Sequence, residues 1–199
     1  SLRPSGLSQM VSGGFKFGQF NLERMLKAFL PDRVPETFEA LDIPMKIIVS
    51  DYYAQRECVC ERGPLFPALA ASAALPAVFR PVVIDGRVMM DGGLCNPIPF
   101  DHLAGRADIT IGVDVIGQPP AGTAELPNSI DSLYGATQLT MRSIVTLKLE
   151  KGAPDIFLQP EVGRFRVLDF AKAAEVLKAS EGIRDVLRRA LDEKLSRTG

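Results

Sequence analysis

The chain has 199 residues, of which 46% are hydrophobic and 24% are charged, and its formal net charge is −1. This composition suits one folded domain with a substantial apolar core, and it excludes a disordered chain and a strongly basic nucleic-acid-binding surface. No apolar run reaches the length of about 18 residues that a membrane-spanning helix needs. Residues 1–10 lack the basic-then-apolar layout of a signal peptide. We therefore expect a single domain over residues 1–199.

The cysteines and the histidine point away from a metal site. Cys58, Cys60 and Cys95 are an odd number, and His102 is the only histidine. In a strand, Cys58 and Cys60 would point to the same face, but a zinc knuckle needs a gap of about two to four residues and further ligands. We expect reduced packing cysteines in a cytoplasmic protein, without a metal or a cofactor, and a surface or packing role for His102.

The first predicted elements alternate between helix and strand. Asn21 is a suitable N-cap for a helix whose apolar residues recur at helical spacing up to Phe29 and which Pro31 ends. The next predicted elements are a helical turn, a buried apolar strand, a short strand, and a buried alanine-rich helix that ends before Pro76, at residues 38–41, 45–49, 57–61 and 65–75.

A β-hairpin is the clearest local signal. Two runs of β-forming residues, 82–84 and 87–90, flank Asp85-Gly86, a dipeptide typical of a two-residue hairpin turn. The second strand is expected to end at Gly92, and a short proline-initiated helix through residue 103 follows it.

The second half of the chain continues the alternation of strands and helices. The predicted elements are a buried strand, a surface loop with three prolines, a long helix, a short strand, and a final helical region that Gly182 kinks or splits, at residues 109–116, 118–128, 129–150, 156–158 and 170–197. Alternating elements indicate an α/β fold. Continuous apolar strands favour a mainly parallel central sheet that helices cover on both faces, as in a three-layer sandwich.

Residues 65–100 carry the most specific pattern in the chain. They read LFPALAASAALPAVFRPVVIDGRVMMDGGLCNPIPF, and the ordered motifs are Ala71-Ser72, Leu75-Pro76, Phe79-Arg80-Pro81, the hairpin, Asp91-Gly92-Gly93 and Asn96-Pro97. In this order they resemble the second conserved block of the patatin-like phospholipases. Asp-Gly-Gly alone would be weak evidence, because Asp-Gly turns are common, whereas the ordered set is specific. Residues 48–51 and 111–115 resemble the family strands on either side, so the resemblance covers residues 22–115 well and the rest loosely.

The resemblance implies a serine lipid acyl hydrolase with a Ser–Asp dyad and no catalytic histidine. In that family the serine lies in a Gly-x-Ser-x-Gly elbow and attacks an ester carbonyl. The aspartate of Asp-Gly-Gly accepts or orients the serine proton, and a glycine-rich loop binds the oxyanion. Asp91 matches that aspartate. Gly92 and Gly93 would leave room for substrate beside the carboxylate, and Asn96 and Pro97 would shape the loop that follows.

The chain departs from the family pattern because no Gly-x-Ser-x-Gly occurs in its 199 residues. Ser50 and Ser72 have no glycine two residues away on both sides, and we interpret Ser72 as a small packing residue. Gly13-Gly14 resembles the oxyanion loop only superficially, because that loop should follow a strand near the family's N-terminus. The chain therefore carries no nucleophile, and we expect a patatin-like fold that is incomplete at its N-terminus.

Three explanations for the missing serine stay open: a fragment of a longer active enzyme, a serine on a separate polypeptide, or a natural non-catalytic remnant. We infer a patatin-like lipid acyl hydrolase, a phospholipase or esterase, to which this chain contributes Asp91 while being inactive alone. The alternative is a non-catalytic binding or regulatory module on the same fold. The expected partners are a lipid or acyl-ester substrate and either the missing N-terminal segment or a second copy, because the absent elements would leave apolar sheet surface exposed. Membrane contact would be peripheral at most.

Overall fold

The computed structural model describes residues 22–76, 78–116, 126–127, 129–163, 165 and 172–198. The chain splits into two compact units, Ser1–Asn96 and Pro97–Gly199. The Asn21 N-cap, the Gly13-Gly14 segment and most of the expected surface loop at 118–128 lie outside the described residues.

The described part of the first unit combines two α-helices with a four-stranded sheet. The elements are α1 (Leu22–Phe29), β1 (Ile47–Asp51), β2 (Arg56–Cys60), α2 (Leu65–Ser72), β3 (Val82–Ile84) and β4 (Arg87–Asp91). A 3₁₀ turn at Phe38–Ala40 precedes the sheet. The strand order is β2-β1-β4-β3, and each neighbouring pair is antiparallel.

Local sequence explains where the hairpin turns and where α2 ends. Asp85 and Gly86 have φ values of 50° and 74°, which is the left-handed pair that a tight two-residue hairpin turn requires. Helix α2 ends at Ser72, earlier than the predicted residue 75. Leu75 precedes Pro76, whose ring disfavours helical backbone in the residue before it.

The core of the first unit lies between α2 and one face of the sheet. Strand alternation puts every second side chain on this face, and small alanines on α2 let the helix approach it closely. The buried members of this cluster are Phe38, Ile47, Val49, Leu65, Ala68, Ala71 and Met89. Cys58 and Cys60 are free and pack at the edge of the cluster, as the packing interpretation predicts. Burial raises the pKa of the Cys60 thiol above its ordinary value, which keeps it protonated.

The opposite face of the sheet is only partly covered. Ile48 and Ser50 are buried there, whereas Val59 and Val83 are 36% and 66% exposed. The two exposed valines belong to the outer strands β2 and β3. Apolar side chains are therefore accessible at both edges of this face.

The second unit combines a short parallel strand pair with three described α-helices. Its elements are β5 (Ile111–Val113), α3 (Ser129–Lys151), β6 (Ile156–Leu158), α4 (Ala173–Ser180) and α5 (Gly182–Thr198). The predicted helix break near Gly182 is confirmed, because Glu181 separates α4 from α5. The short helix after the hairpin is a 3₁₀ turn, Phe100–Leu103. Within the described ranges, no helix has the length and apolar character needed to cross a bilayer.

The chain is α/β, as predicted, but the expected mainly parallel sheet is not what the described strands form. Three of the strand pairs are antiparallel, and only β5 and β6 are parallel. Residues 52–55 and 85–86 are too short to make the crossover that parallel neighbours need, so β1–β2 and β3–β4 must be antiparallel. Apolar runs indicate burial and carry no information about strand direction. The three-layer arrangement and the single-domain organisation stay predictions.

Candidate functional site

Asp91 is the last residue of β4 and lies where the sheet meets the end of α2. Its register partner on β1 is Val49, so its side chain starts on the face that α2 covers. The backbone N–H of Asp91 donates to the Ala74 carbonyl at 3.2 Å, and its carbonyl accepts from Ser50 Oγ at 2.8 Å. The backbone of Asp91 is therefore held from both sides of the sheet.

The Asp91 carboxylate is anchored through one oxygen. The Gly93 N–H donates to Oδ1 at 2.7 Å, and no salt bridge to Asp91 is present among the described residues. In the same part of the chain, no fully buried side-chain nitrogen or oxygen lacks a hydrogen-bond partner. Oδ2 has no protein partner there, so solvent reaches it. This oxygen can accept a proton from an incoming hydroxyl.

Burial makes this carboxyl a better proton acceptor than an exposed aspartate. Burial raises the pKa of Asp91 above its ordinary value, and the Gly93 N–H opposes that rise by stabilising the charged form. A general base works best when its pKa approaches the operating pH. A half-buried carboxyl with a raised pKa in such a position is a candidate functional group.

A 3₁₀ turn at Gly92–Leu94 follows Asp91, and Gly92 packs directly on β1. A Cβ atom at Gly92 would lie 2.0 Å from the Ile48 carbonyl oxygen and 2.5 Å from its carbonyl carbon. Only glycine fits this approach of two backbone segments. The structure thus gives a packing reason for Gly92, while Gly93 contributes its N–H to the carboxylate.

Asn96 closes the turn as a buried anchor. The residue is 7% exposed, its backbone N–H donates to the Gly92 carbonyl at 2.9 Å, and Nδ2 donates to Glu57 Oε2 at 2.9 Å. Asn96 therefore ties the end of the turn to β2. Pro97 is the first residue of the second compact unit.

Sequence reasoning missed two residues that contact this turn, Ser50 and Glu57. The sequence prediction treats Ser50 only as a possible nucleophile, whereas Ser50 is buried and its hydroxyl donates to the Asp91 carbonyl. A serine in an apolar buried strand needs a hydrogen-bond partner, and this signal could have identified it. Glu57 has no comparable signal, because a glutamate at a partly exposed position of a strand is common and needs no buried partner.

A second carboxylate of the sheet, Asp51, has a structural role. Its Oδ1 accepts from the Tyr53 and Ala54 N–H groups at 3.1 and 2.9 Å, and Arg87 forms an ion pair with it. The Ala54 N–H, followed by Arg87, lowers the pKa of Asp51 below its ordinary value. Such a carboxylate is a poor proton acceptor and serves to close the β1–β2 turn.

The remaining candidates supply no metal centre. His102 lies in the 3₁₀ turn Phe100–Leu103 of the second unit. Across the described ranges, no group of three or more His, Cys, Asp or Glu residues is arranged to hold a metal ion.

Comparison with known proteins adds independent information. A family model described as patatin-like phospholipase matches residues 2–104. Uncharacterized NTE family proteins of Mycobacterium bovis and of two Mycobacterium tuberculosis strains are each 39% identical over 114 residues. These alignments cover 56% of this chain and 31% of each relative. The chain thus spans about a third of the length of the curated relatives it matches.

Proposed function

Because the chain belongs to the patatin-like phospholipase family, we propose that it supplies the aspartate half of a Ser–Asp dyad that hydrolyses ester bonds of lipids. The observation that carries the proposal is the Asp91 carboxylate. One oxygen is held by the Gly93 N–H at 2.7 Å, and the other is left to accept a proton. This arrangement fits a general base that acts on a neighbouring hydroxyl.

The proposed reaction has two steps. A serine hydroxyl attacks the ester carbonyl while its proton passes to Asp91, and the alkoxide leaves with that proton as the acyl-enzyme forms. Water then attacks the acyl-enzyme. Asp91 takes the proton from water and returns it to the serine oxygen, so the fatty acid leaves and the dyad is restored.

The nucleophilic serine of this proposal lies outside the 199 residues. No Gly-x-Ser-x-Gly is present in them, and the relatives are about three times longer than the aligned segment. We further propose that the segment with the serine covers the sheet face bearing Val59 and Val83, which are partly exposed, and that this completes a three-layer sandwich. A second copy of the chain on the same face is the alternative partner.

The free cysteines suit a reducing compartment such as the cytoplasm, and contact with lipid would be peripheral.

A non-catalytic module on the same fold is the competing function, and the absence of the serine motif is the observation in its favour. What is encoded upstream of Ser1 separates the two functions.

The proposal is tested with two proteins: the 199-residue chain and a version extended by its upstream coding region. Each is treated with a fluorophosphonate and assayed on a p-nitrophenyl acyl ester. We expect the extended protein to be labelled on one serine and to turn over the ester, and the shorter chain to do neither. An extended protein that is folded but is neither labelled nor active would favour the non-catalytic module.

A further inference from the structure

Two polar residues on neighbouring strands each hold one end of the segment that we call the 91–96 turn, residues 91–96. Ser50 of β1 and Glu57 of β2 are direct register partners. Ser50 Oγ donates to the Asp91 carbonyl at 2.8 Å, where the turn begins. Glu57 Oε2 accepts from Asn96 Nδ2 at 2.9 Å, where the turn ends.

Both contacts lie on the face of the sheet opposite to the Asp91 side chain. Val49 and Asp91 are register partners on the α2 side, and alternation puts Ser50 on the other side. Ser50 also pairs with Met90, the residue before Asp91. Ser50 and Glu57 therefore act on the turn from behind, and neither needs to contact a substrate that approaches the carboxylate.

Because these contacts involve buried polar groups, their loss should lower the stability of the fold. Ser50 and Asn96 are 6% and 7% exposed, and loss of the partner of a buried polar group destabilises the fold more than loss of an exposed one. The close approach of Gly92 to Ile48 also fixes the second residue of the turn against β1. The turn is therefore held by two contacts at its start and one at its end.

We propose that Ser50 and Glu57 are positioning residues that hold the 91–96 turn so that the Gly93 N–H stays on the Asp91 carboxylate and its second oxygen stays accessible. The catalytic meaning of this proposal rests on the proposed function, whereas the geometry does not. Loss of either contact should loosen the turn and misdirect the carboxylate, while the sheet beneath stays paired.

The Gly93 amide is a direct reporter of this positioning. It donates to Asp91 Oδ1, so its proton chemical shift follows the protonation of Asp91 in a pH titration of the ¹⁵N-labelled 199-residue chain. In Ser50→Ala and Glu57→Ala we expect that titration amplitude to fall to about half, and the Gly93 amide to exchange with solvent about tenfold faster. Ser50→Thr keeps the hydroxyl and Glu57→Gln keeps an acceptor oxygen, so both should restore the wild-type signals.

Ser72→Ala is the matched control, because it removes a half-buried serine hydroxyl of the same unit that makes no hydrogen bond to the 91–96 turn within the described residues. It should leave the Gly93 signals unchanged. The proposal is overturned if folded Ser50→Ala and Glu57→Ala show wild-type Gly93 titration and exchange. Glu57 is more exposed than Ser50, so Glu57→Ala decides the matter if Ser50→Ala does not fold.

The extended protein provides the functional readout. We expect Ser50→Ala to lower kcat for ester hydrolysis about tenfold with little change in KM, because a correctly oriented general base contributes only in the transition state. Ser50→Thr should recover the wild-type kcat. If the extended protein hydrolyses no ester, the proposed function fails, while the Gly93 measurements still decide whether Ser50 and Glu57 position the turn.

Discussion

At the scale of single residues, the Asp91 carboxylate is kept in an environment that disfavours its charge. Burial raises its pKa, and the Gly93 N–H compensates only in part. A folded-state pKa above the unfolded value means that ionisation of this group opposes folding. A functional group commonly has such a cost in stability.

We therefore predict that Asp91→Asn raises the free energy of unfolding of the chain at neutral pH. Asparagine keeps an oxygen for the Gly93 N–H but carries no charge. The difference in the free energy of unfolding between Asp91→Asn and wild type should be largest when the pH is above the folded-state pKa of Asp91. It should disappear as the pH falls below the ordinary pKa of aspartate, about 3.9. Urea unfolding at several pH values measures it, and a loss of stability at neutral pH would contradict the argument.

Gly92 gives a second prediction at this scale. A methyl group there would overlap the Ile48 carbonyl, with 2.0 Å between Cβ and oxygen, so Gly92→Ala should destabilise the chain by about 3 kcal/mol or more. Gly135→Ala is the matched control. That glycine lies within α3 with open space around it, so alanine should stabilise by up to about 1 kcal/mol. Equal changes in stability in the two variants would show that Gly92 does not lie this close to the Ile48 carbonyl.

The sequence allowed Asp91 to be predicted as the candidate residue because its neighbours form an ordered string of local motifs. The contacts that support it could not be predicted in the same way. Ser50 and Glu57 meet the 91–96 turn across 41 and 39 positions of the chain. Such contacts depend on the pairing of β1 with β4, and no hairpin turn joins these two strands to fix their register.

At the scale of secondary-structure elements, turn chemistry was a better predictor than apolar pattern. Asp85-Gly86 predicted the hairpin and its bounds closely, because positive φ angles restrict the residues allowed. The apolar runs predicted the existence of β1 and β5 but not the direction of their neighbours. The expectation of a mainly parallel sheet was wrong for the described strands because it took burial as evidence of direction.

In the second unit, one exposed carboxylate links three elements. Asp155, just before β6, accepts from the Thr110 N–H and hydroxyl at 2.9 Å, and from Lys194 Nζ of α5 at 3.0 Å. The pKa of Asp155 is lowered to about 2. The hydrogen bond from the Thr110 N–H is the main cause, followed by those from Lys194 and from the Thr110 hydroxyl.

A pKa lowered in the folded state means that ionised Asp155 favours folding. This contribution should be present above the ordinary aspartate pKa of about 3.9 and should be lost as the pH falls toward 2. We predict that Asp155→Asn lowers Tm at pH 5 and that its difference from wild type shrinks toward pH 2. Thermal unfolding followed by circular dichroism measures this. Asp108→Asn, at another exposed carboxylate, is the control, and a constant difference across the pH range would contradict the prediction.

At the scale of the whole molecule, the chain is one part of a patatin-like pattern. The family model covers residues 2–104, which include Asp91 and both residues that support its turn. The serine motif is absent from the sequence, and the partly exposed Val59 and Val83 leave room for further structure on one face of the sheet. Composition and motif order were enough to predict the family. Exposed apolar side chains mark that face as a candidate contact surface but do not identify what covers it.

The most direct test of the account is kcat/KM for hydrolysis of a p-nitrophenyl acyl ester by the extended protein, compared between wild type and Asp91→Asn. Asp85→Asn, a nearby exposed turn residue on the same hairpin, is the control for removal of a carboxylate. We predict that Asp91→Asn lowers kcat/KM about a thousandfold, within the range for loss of a general base, and that Asp85→Asn leaves it unchanged. Wild-type kcat/KM in folded Asp91→Asn would contradict the central claim.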